Sequence, residues 1–256
     1  MTPGEAAATL RAARVEGRTL EPFTDEHPGL DEAWGYAVQR LDLRARLGAG
    51  EQPIGAKLGL TSEAKQQRMG VRRPVVGFLT DAMLLSEGPV DTRRWVQPRV
   101  EPEVAFLTGR RIDRALGPTE AASYVGGVGV AAEVLDSRWT GYRFRLADVL
   151  ADATSAAGFV LGSGVHDLAT VGDLAALRGE VRVDGEVVER ATGAAVLGDP
   201  LRALVLLSEH LAAHEEVLPE GSWVLAGAFT DAVPLVAGRR YELEVETLGT
   251  IRLDAC

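Results

Sequence analysis

From about Pro53 to the C-terminus, the chain consists of short apolar segments separated by Gly, Pro and Asp. Segments such as IGAKLGL, GVGVAAEVLDS and SAAGFVLG have the length and composition of β-strands. The segment VRVDGEVVE indicates a hairpin, because its Asp184-Gly185 pair suits a type I′ turn. This pattern restricts residues 53–256 to a sheet or a barrel-like body.

The first 52 residues have a different pattern, which predicts a small helical unit. The opening TPGE matches a capping box with Pro at the first helical position, so a helix is predicted to about Val15. A second helix is predicted to end at Gly48, because apolar residues recur at helical spacing before it. These residues are Leu30, Trp34, Ala37, Val38, Leu41 and Ala45.

One longer helix is predicted to interrupt the strands, with Asp199 as its cap and Pro200 at its first position. Its apolar face contains Leu201, Leu204, Val205, Leu211 and Ala212, with Ser208 as a polar member. The predicted fold class is therefore α+β, with an N-terminal helical part over residues 1–52 and a β-rich domain over residues 53–256.

Composition excludes several functional classes. A hydrophobic content of 46% and a charged content of 25% are typical of a soluble globular protein. No apolar run is long enough to cross a bilayer, and the N-terminus is unlike a secretion signal, which predicts a cytoplasmic protein without a membrane partner. The net charge of -10 disfavours a nucleic-acid partner. Since Cys256 is the single cysteine, no intramolecular disulfide forms.

The segment QPRVEPEVAF places two carboxylates, Glu101 and Glu103, one residue apart in a predicted strand. Side chains alternate between the faces of a strand, so both acids point the same way. Either this face is solvated, so that water screens the repulsion, or a divalent cation lies between the two acids.

Glu133 is the lone acid in an apolar run that extends from Val128 to Leu135. A strand here would bury it, and a buried carboxylate must be protonated, paired with a cation or bound to a metal. Together with Glu101 and Glu103 it would form an oxygen site that suits Mg²⁺ or Mn²⁺. A salt bridge to an arginine such as Arg99 is the alternative.

Lys57, in GAKLGLTS, is a single cation within an apolar strand flanked by glycines. Either its ammonium group reaches the surface from a strand end, or it lies inside and requires an anionic partner. A substrate carboxylate or enolate would be such a partner.

Several segments together resemble the hydratase/decarboxylase family of the meta-cleavage pathway, within the fumarylacetoacetate hydrolase superfamily. They are GAKLGLTSEAKQQRMGV, GFLTDAML, QPRVEPEVAF, AAEVLDSRW, ADVLADATSAAGFVLG and LGDPLRALVLL, in this order from about residue 28 to the end. The resemblance implies a mixed β-roll body with an N-terminal helical part, and a requirement for Mg²⁺ or Mn²⁺.

The resemblance also implies roles for individual residues. It implies Glu101, Glu103 and Glu133 as metal ligands, and Lys57 and Asp81 as catalytic residues. Leu60, Ser155 and Ser163 are implied at the substrate site. Arg143 and Arg145, which alternate in YRFRL, either steer a distal carboxylate or are exposed strand charges. The chain departs from the family at Ala153, where an asparagine is usual, and this departure puts the role of the 151–155 loop in question.

Two activities divide this family. VGFLTDAMLL and RFRLADVLAD look more like the decarboxylases, which act on the 2-oxo dicarboxylate 2-oxohex-3-enedioate (4-oxalocrotonate), than like the hydratases of 2-hydroxypenta-2,4-dienoate. A hydrolase of acylpyruvates is less favoured, because His27 lacks a glutamate three residues later. A non-catalytic subunit that braces a partner enzyme is a further alternative. A homo-oligomer and a complex with the partner hydratase are also expected from the resemblance.

Overall fold

The computed structural model describes residues 1–62, 66–67, 69–71 and 73–256. The two predicted N-terminal helices end at the predicted residues: α1 spans Pro3–Val15, with the capping box of Thr2 and Glu5 formed, and α3 spans Glu32–Gly48. Leu30, predicted within the second helix, lies before its first residue. The other described α-helices are α2 (Phe23–Glu26), α4 (Leu146–Ala151), α5 (Leu168–Val171) and α6 (Arg202–Ala213).

The first described strand begins at Pro53, where the sequence pattern changes. The described strands are β1 (Pro53–Gly59), β2 (Val75–Thr80), β3 (Leu84–Leu85), β4 (Gly88–Val90), β5 (Arg99–Thr108), β6 (Val125–Leu135), β7 (Ala156–Leu161), β8 (Arg178–Val183), β9 (Glu186–Thr192), β10 (Trp223–Ala228), β11 (Val233–Pro234), β12 (Arg240–Val245) and β13 (Gly249–Ala255).

These strands form two sheets. An eight-stranded mixed sheet has the order β2-β1-β10-β5-β6-β7-β3, with β11 paired to β5 at one end. A five-stranded sheet has the order β4-β13-β12-β8-β9. The predicted hairpin is confirmed, because Asp184 and Gly185 both have positive φ between β8 and β9. The α+β fold class is likewise confirmed.

The main core lies between the two sheets. Val100, Val104 and Phe106 of β5 are buried in one cluster with Leu243 and Ile251 of the smaller sheet. The alternation in QPRVEPEVAF thus places Val100, Val104 and Phe106 against the second sheet. The glutamates therefore point to the opposite, concave face of the large sheet.

The N-terminal helices pack against this large sheet through α4. Gly35 of α3 allows the close approach, since a Cβ at this position would lie 2.7 Å from Leu150 Cβ. Gln39 of α3 also donates hydrogen bonds to Val76 O and Leu150 O. No helix in the described ranges is long and apolar enough to cross a membrane.

The interrupting helix starts two residues later than predicted, at Arg202, because Asp199 caps the backbone N–H of Leu201 in a preceding turn. Its buried face includes Leu204 and Leu211. Ser208 is also buried, and its hydroxyl accepts a hydrogen bond from Leu116 N.

Candidate active site

Three glutamates converge on the concave face of the large sheet. Glu101 of β5 lies directly opposite Glu133 of β6 in the antiparallel register, and Glu103 is the next residue of β5 on the same face. One carboxylate oxygen from each glutamate lies within 4.8 Å of the other two, and all three side chains are buried. The solvated-face interpretation of the two neighbouring acids is therefore wrong.

Lys57 completes this group, which we call the glutamate–lysine cluster (Lys57, Glu101, Glu103 and Glu133). Its Nζ lies 3.1 Å from Glu133 Oε1 and 3.4 Å from Thr154 O, and the side chain is buried. The alternatives of a surface lysine and of a Glu133–Arg99 salt bridge are both wrong. The strands of Lys57 and Glu133 are three positions apart, about 14 Å in a flat sheet, so their contact requires a curled sheet.

The acids in the cluster outnumber its single cation, and their pKa values reflect this. Burial, followed by the charges of Glu133 and Glu101, raises the pKa of Glu103 well above its usual value. Burial likewise raises the pKa of Glu133, although Lys57 opposes the shift. Burial lowers the pKa of Lys57, but the three carboxylates outweigh this effect and leave it raised. The cluster thus holds excess negative charge in a low-dielectric environment.

The hydrogen bonds of the cluster are incomplete. Glu103 Oε2 accepts a hydrogen bond from Gly227 N at 2.7 Å, but Glu103 Oε1 and Glu133 Oε2 accept none from the described residues. Buried carboxylate oxygens normally have a donor or a cation partner. Three adjacent buried carboxylates, two of them with such unsatisfied oxygens, are a donor set that fits Mg²⁺ or Mn²⁺.

The loop beside Lys57 has an unusual backbone. Ala153, Thr154 and Ser155 have φ values of 48°, 59° and 61°, which place three consecutive non-glycine residues in the left-handed region. Such strain is characteristic of functional sites. This conformation directs Thr154 O at Lys57, and it leaves the buried Ser155 hydroxyl without a hydrogen-bond partner among the described residues.

Gly77 of β2 makes room for this arrangement. It pairs with Lys57 across the strands, and a Cβ at Gly77 would lie 2.5 Å from Thr154 Oγ1 and 3.3 Å from Lys57 Cδ. A side chain here would displace the lysine or the strained loop. This requirement was not visible in the sequence, because it depends on which residue lies opposite Lys57.

A cavity of about 290 Å³ opens onto the cluster. Lys57 and Glu101 line its inner end, and the predicted residues Leu60 and Ser155 line it as well. Its other lining residues are Gly59, Met69, Val75, Arg99, Leu135, Tyr142, Phe144, Val149, Thr154, Asp231 and Ala232. The cavity is thus charged near the cluster and mainly apolar along its walls.

Glu103 and Glu133 lie in the cluster beside this cavity, whereas three other predicted site residues belong neither to the cluster nor to the cavity lining. Asp81 is exposed, and its carboxylate caps the turn after β2 by accepting hydrogen bonds from Gln52 N and Ala82 N. Since Lys57 pairs with Gly77, Asp81 lies roughly 13 Å further along the strand. Ser163 is exposed, and the exposed Arg143 pairs with Glu21 and Asp25. The roles predicted for Asp81 and Ser163 rest on the resemblance alone, and the role predicted for Arg143 rests on the alternation in YRFRL.

The structure also adds residues that the sequence did not assign to the site. Arg99 lines the cavity, with its guanidinium carbon 4.4 Å from the centroid of the Tyr142 ring. Its position on β5 is a signal that could have identified it, because residues 99, 101 and 103 share one face of the strand. The sequence held no comparable signal for Thr154 and Tyr142, because both lie in turns, where side chains follow no regular alternation.

The chain is similar to proteins of known family. Residues 54–254 match the family described as fumarylacetoacetate (FAA) hydrolase C-terminal. A 4-oxalocrotonate decarboxylase of Pseudomonas sp is 39% identical, with 96% of this chain and 94% of that protein covered. The 2-keto-4-pentenoate hydratase 2 of Dechloromonas aromatica is 35% identical, with 98% and 96% covered.

A solved structure has the same fold at nearly full length. It is the 4-oxalocrotonate decarboxylase from Pseudomonas putida G7 complexed with magnesium and adipate, at a TM-score of 0.93 and 32% identity, with 98% of this chain and 96% of that chain covered. Decarboxylases and hydratases of the meta-cleavage pathway match this chain at similar identity. The chain therefore belongs to the fumarylacetoacetate hydrolase family, among the decarboxylases and hydratases of the meta-cleavage pathway.

Proposed function

We propose that this protein is a divalent-metal-dependent decarboxylase that converts 2-oxohex-3-enedioate to 2-hydroxypenta-2,4-dienoate and CO₂. The observation that carries the proposal is the glutamate–lysine cluster, in which three buried carboxylates and one lysine converge and two members, Lys57 and Glu101, line a cavity. The relative with magnesium and adipate supports a cation and a six-carbon dicarboxylate as ligands of this fold.

The three glutamates would hold Mg²⁺ or Mn²⁺. Bound there, the cation supplies a Lewis acid to the C1 carboxylate and the C2 ketone oxygen of a 2-oxo acid. The positive charge of Lys57 then stabilises the negative charge that develops on the C2 oxygen. Ser155 also lines the cavity, and its buried hydroxyl lacks a hydrogen-bond partner among the described residues. It can therefore donate a hydrogen bond to the substrate.

In the reaction, the bond between C5 and the C6 carboxylate breaks and CO₂ leaves. Its electron pair moves through the conjugated chain onto the C2 oxygen, which then takes a proton to give the hydroxyl of the product. Loss of a carboxylate as neutral CO₂ is favoured where water is excluded. Val75, Leu135 and Val149 along the cavity wall provide such a surface.

The second candidate is hydration of 2-hydroxypenta-2,4-dienoate, and a specific observation favours it. A 2-keto-4-pentenoate hydratase of Burkholderia vietnamiensis is 37% identical over 96% of this chain, close to the value for the decarboxylase. Hydration would use the same cluster, but it needs a positioned water instead of a site for a distal carboxylate.

The test is to incubate the purified protein and Mg²⁺ with each substrate separately, following CO₂ release and the loss of diene absorbance. We expect CO₂ from 2-oxohex-3-enedioate, and none from a Glu103→Gln variant. Turnover of 2-hydroxypentadienoate alone would identify a hydratase instead. Inactivity on both substrates, with increased activity of an added hydratase, would identify a non-catalytic subunit.

We also propose that the chain assembles into a homo-oligomer and associates with the partner hydratase. Decarboxylation yields the substrate of the hydratase, so a complex would allow direct transfer. Sedimentation velocity of the pure chain, and of a mixture with the hydratase, tests both proposals. A single monomeric species in both samples would refute them.

A further inference from the structure

We propose that Arg99, held on the ring of Tyr142, binds the distal carboxylate of the substrate and makes the site selective for 2-oxo dicarboxylates over 2-oxo monocarboxylates. The inference rests on the proposed function, in which the other end of the substrate lies at the glutamate–lysine cluster. It assigns to Arg99 the task that the sequence pattern suggested for Arg143.

The first step is the position of Arg99 relative to the cluster. Arg99 and Glu101 are both on β5 and point to the same face of the sheet, and both line the cavity. Residues two apart in a strand are separated by roughly 7 Å. A six-carbon diacid has a comparable length, so its far end can reach Arg99 while its 2-oxo acid end lies beside Glu101 and Lys57.

The second step is the availability of the guanidinium group. Its central carbon lies over the Tyr142 ring, 4.4 Å from the ring centroid, and its N–H groups lie in the guanidinium plane. Among the described residues, no carboxylate forms an ion pair with Arg99 and no acceptor takes a hydrogen bond from its side chain. This fork of donors matches the two oxygens of a carboxylate.

The third step is that the ring beneath Arg99 is fixed. Tyr142 has a φ of 59°, and its hydroxyl donates to Gln97 O at 3.1 Å. The side chain of Gln97 accepts a hydrogen bond from Gly141 N and donates to Ser137 O and Trp139 O. Gln97 thus fastens this turn to the start of β5. A stacked and partly buried arginine loses less entropy when it binds a carboxylate.

Other charged residues do not fit this role. Arg143 and Arg145 are exposed, and Arg143 is already paired with Glu21 and Asp25. Lys57 is paired with Glu133 at the inner end of the cavity. Asp231 also lines the cavity, but it is exposed, so water screens its repulsion of a dicarboxylate.

The test measures binding of two unreactive compounds in the presence of Mg²⁺ by calorimetry. 2-Oxoadipate has a distal carboxylate, and 2-oxopentanoate lacks one. We expect the wild-type protein to bind 2-oxoadipate about ten- to a hundredfold more tightly, the range for hydrogen bonds to a charged group. Arg99→Met should remove this preference and leave the affinity for 2-oxopentanoate unchanged, whereas the matched control Arg143→Met should retain the preference.

Kinetics provide a second readout. Because the distal carboxylate loses its charge as CO₂ forms, Arg99 contacts it most strongly before the transition state. Arg99→Met should therefore raise KM for 2-oxohex-3-enedioate more than it lowers kcat. The KM of Arg99→Lys should lie between those of Arg99→Met and the wild type, since a lysine keeps the charge but lacks the paired donors of a guanidinium group.

The outcomes separate the two proposals. If Arg99→Met keeps the preference for 2-oxoadipate, or if the wild type shows none, the inference about Arg99 is overturned while Mg²⁺-dependent binding still supports the proposed function. If the wild type binds neither compound with Mg²⁺, the proposed function fails and the inference fails with it. If Arg99→Met binds neither compound, the Arg99→Lys variant provides the test. A weaker preference for 2-oxoadipate in Arg99→Lys than in the wild type supports the inference, and an equal preference overturns it.

Discussion

Two groups of charged side chains have buried carboxylates, and they differ in how completely these are paired. The glutamate–lysine cluster has three acids and one lysine, and several of its carboxylate oxygens lack a donor among the described residues. In the second group, which we call the arginine–aspartate cluster, each aspartate has an arginine within 4 Å, and Arg46 also pairs with Glu51. It consists of Arg14, Arg46, Arg138, Asp42, Asp136 and Asp152.

The arginine–aspartate cluster joins the N-terminal helices α1 and α3 to the segments that follow β6 and α4. Asp42 pairs with Arg14 at 3.2 Å and with Arg46 at 3.1 Å, and Asp152 accepts a hydrogen bond from Arg138 N at 2.7 Å. Asp152 directly precedes the strained residues 153–155, so this cluster supports the loop that contacts Lys57. Its charges are compensated by one another, as expected of a structural network.

The comparison shows that burial of charge does not by itself indicate a functional site. The carboxylates of both clusters are buried, but of the two it is the glutamate–lysine cluster that combines more acids than cations, carboxylate oxygens without a donor among the described residues, and a cavity. A site of this kind is completed by a ligand that the chain does not supply. Five substitutions test this distinction, because each cluster should respond differently to the loss of one charge.

The largest difference should follow removal of one acid from each cluster. Glu103→Gln should lower decarboxylase activity about a thousandfold or more, through loss of a cation ligand. Without metal, its free energy of unfolding should equal or exceed that of the wild type, because a repulsive buried charge is gone. Steady-state assays and urea denaturation measure both quantities.

The matched control is Asp42→Asn, which should retain activity but lose stability, since it leaves Arg14 and Arg46 without their shared partner. A stable and active Glu103→Gln variant, or an inactive Asp42→Asn variant of wild-type stability, would contradict the comparison.

Removal of Lys57 should have the next largest effect, which is on the free energy of unfolding. Lys57→Met leaves Glu133 without its cation, and breaking a buried ion pair costs about 3 kcal/mol of unfolding free energy. Mg²⁺ should restore most of this loss, because a bound cation replaces the missing charge, although activity stays low. Urea denaturation with and without Mg²⁺ measures this recovery. An equal loss of unfolding free energy in the two conditions would refute a cation site.

Removal of a cation from the arginine–aspartate cluster should have a smaller effect that Mg²⁺ does not reverse. Arg14 contacts both Asp42 and Asp152, but it is partly exposed and Asp42 keeps Arg46. Arg14→Met should therefore cost about 1–2 kcal/mol. The affinity for Mg²⁺ should stay within about twofold of wild type by calorimetry. Recovery of stability on adding Mg²⁺ would show that the clusters are not distinct.

The last prediction concerns pH, and its effect is the smallest when it is expressed per pH unit. Burial raises the pKa of Asp152 to about 7, against the lowering influence of Arg14 and Arg138. Between about pH 4 and 7 the folded protein holds a proton that the unfolded chain releases, so this residue's contribution to stability falls as pH rises. Asp152→Asn should flatten the pH dependence of the unfolding free energy in this window, by up to about 1 kcal/mol per pH unit.

Asp42→Asn serves as the control for the pH experiment. The pKa of Asp42 is lowered by Arg14 and Arg46 despite its burial, so its contribution to stability is lost as pH falls, not as it rises. A pH profile that is unchanged in Asp152→Asn would contradict the raised pKa. Urea denaturation at intervals of one pH unit resolves the two slopes.

Local patterns predicted much of the fold and part of the site. The capping box located α1, and the Asp184-Gly185 pair located the β8–β9 hairpin. The two-residue spacing of Glu101 and Glu103 placed both on one face, because alternation is a property of any strand. Glu133 was a candidate because a lone acid in an apolar run must find a partner.

The sequence by itself therefore determined which side chains share a face of each strand. Only the tertiary structure decided which strands meet: the curl of the large sheet brings Lys57 to Glu133 across three strand positions, and pairing with Gly77 directs Lys57 away from Asp81. The same packing places Arg99 in the cavity and Arg143 on the surface. The physical reason is that alternation is fixed by the backbone of one strand, whereas register and curvature depend on contacts between residues far apart in the chain.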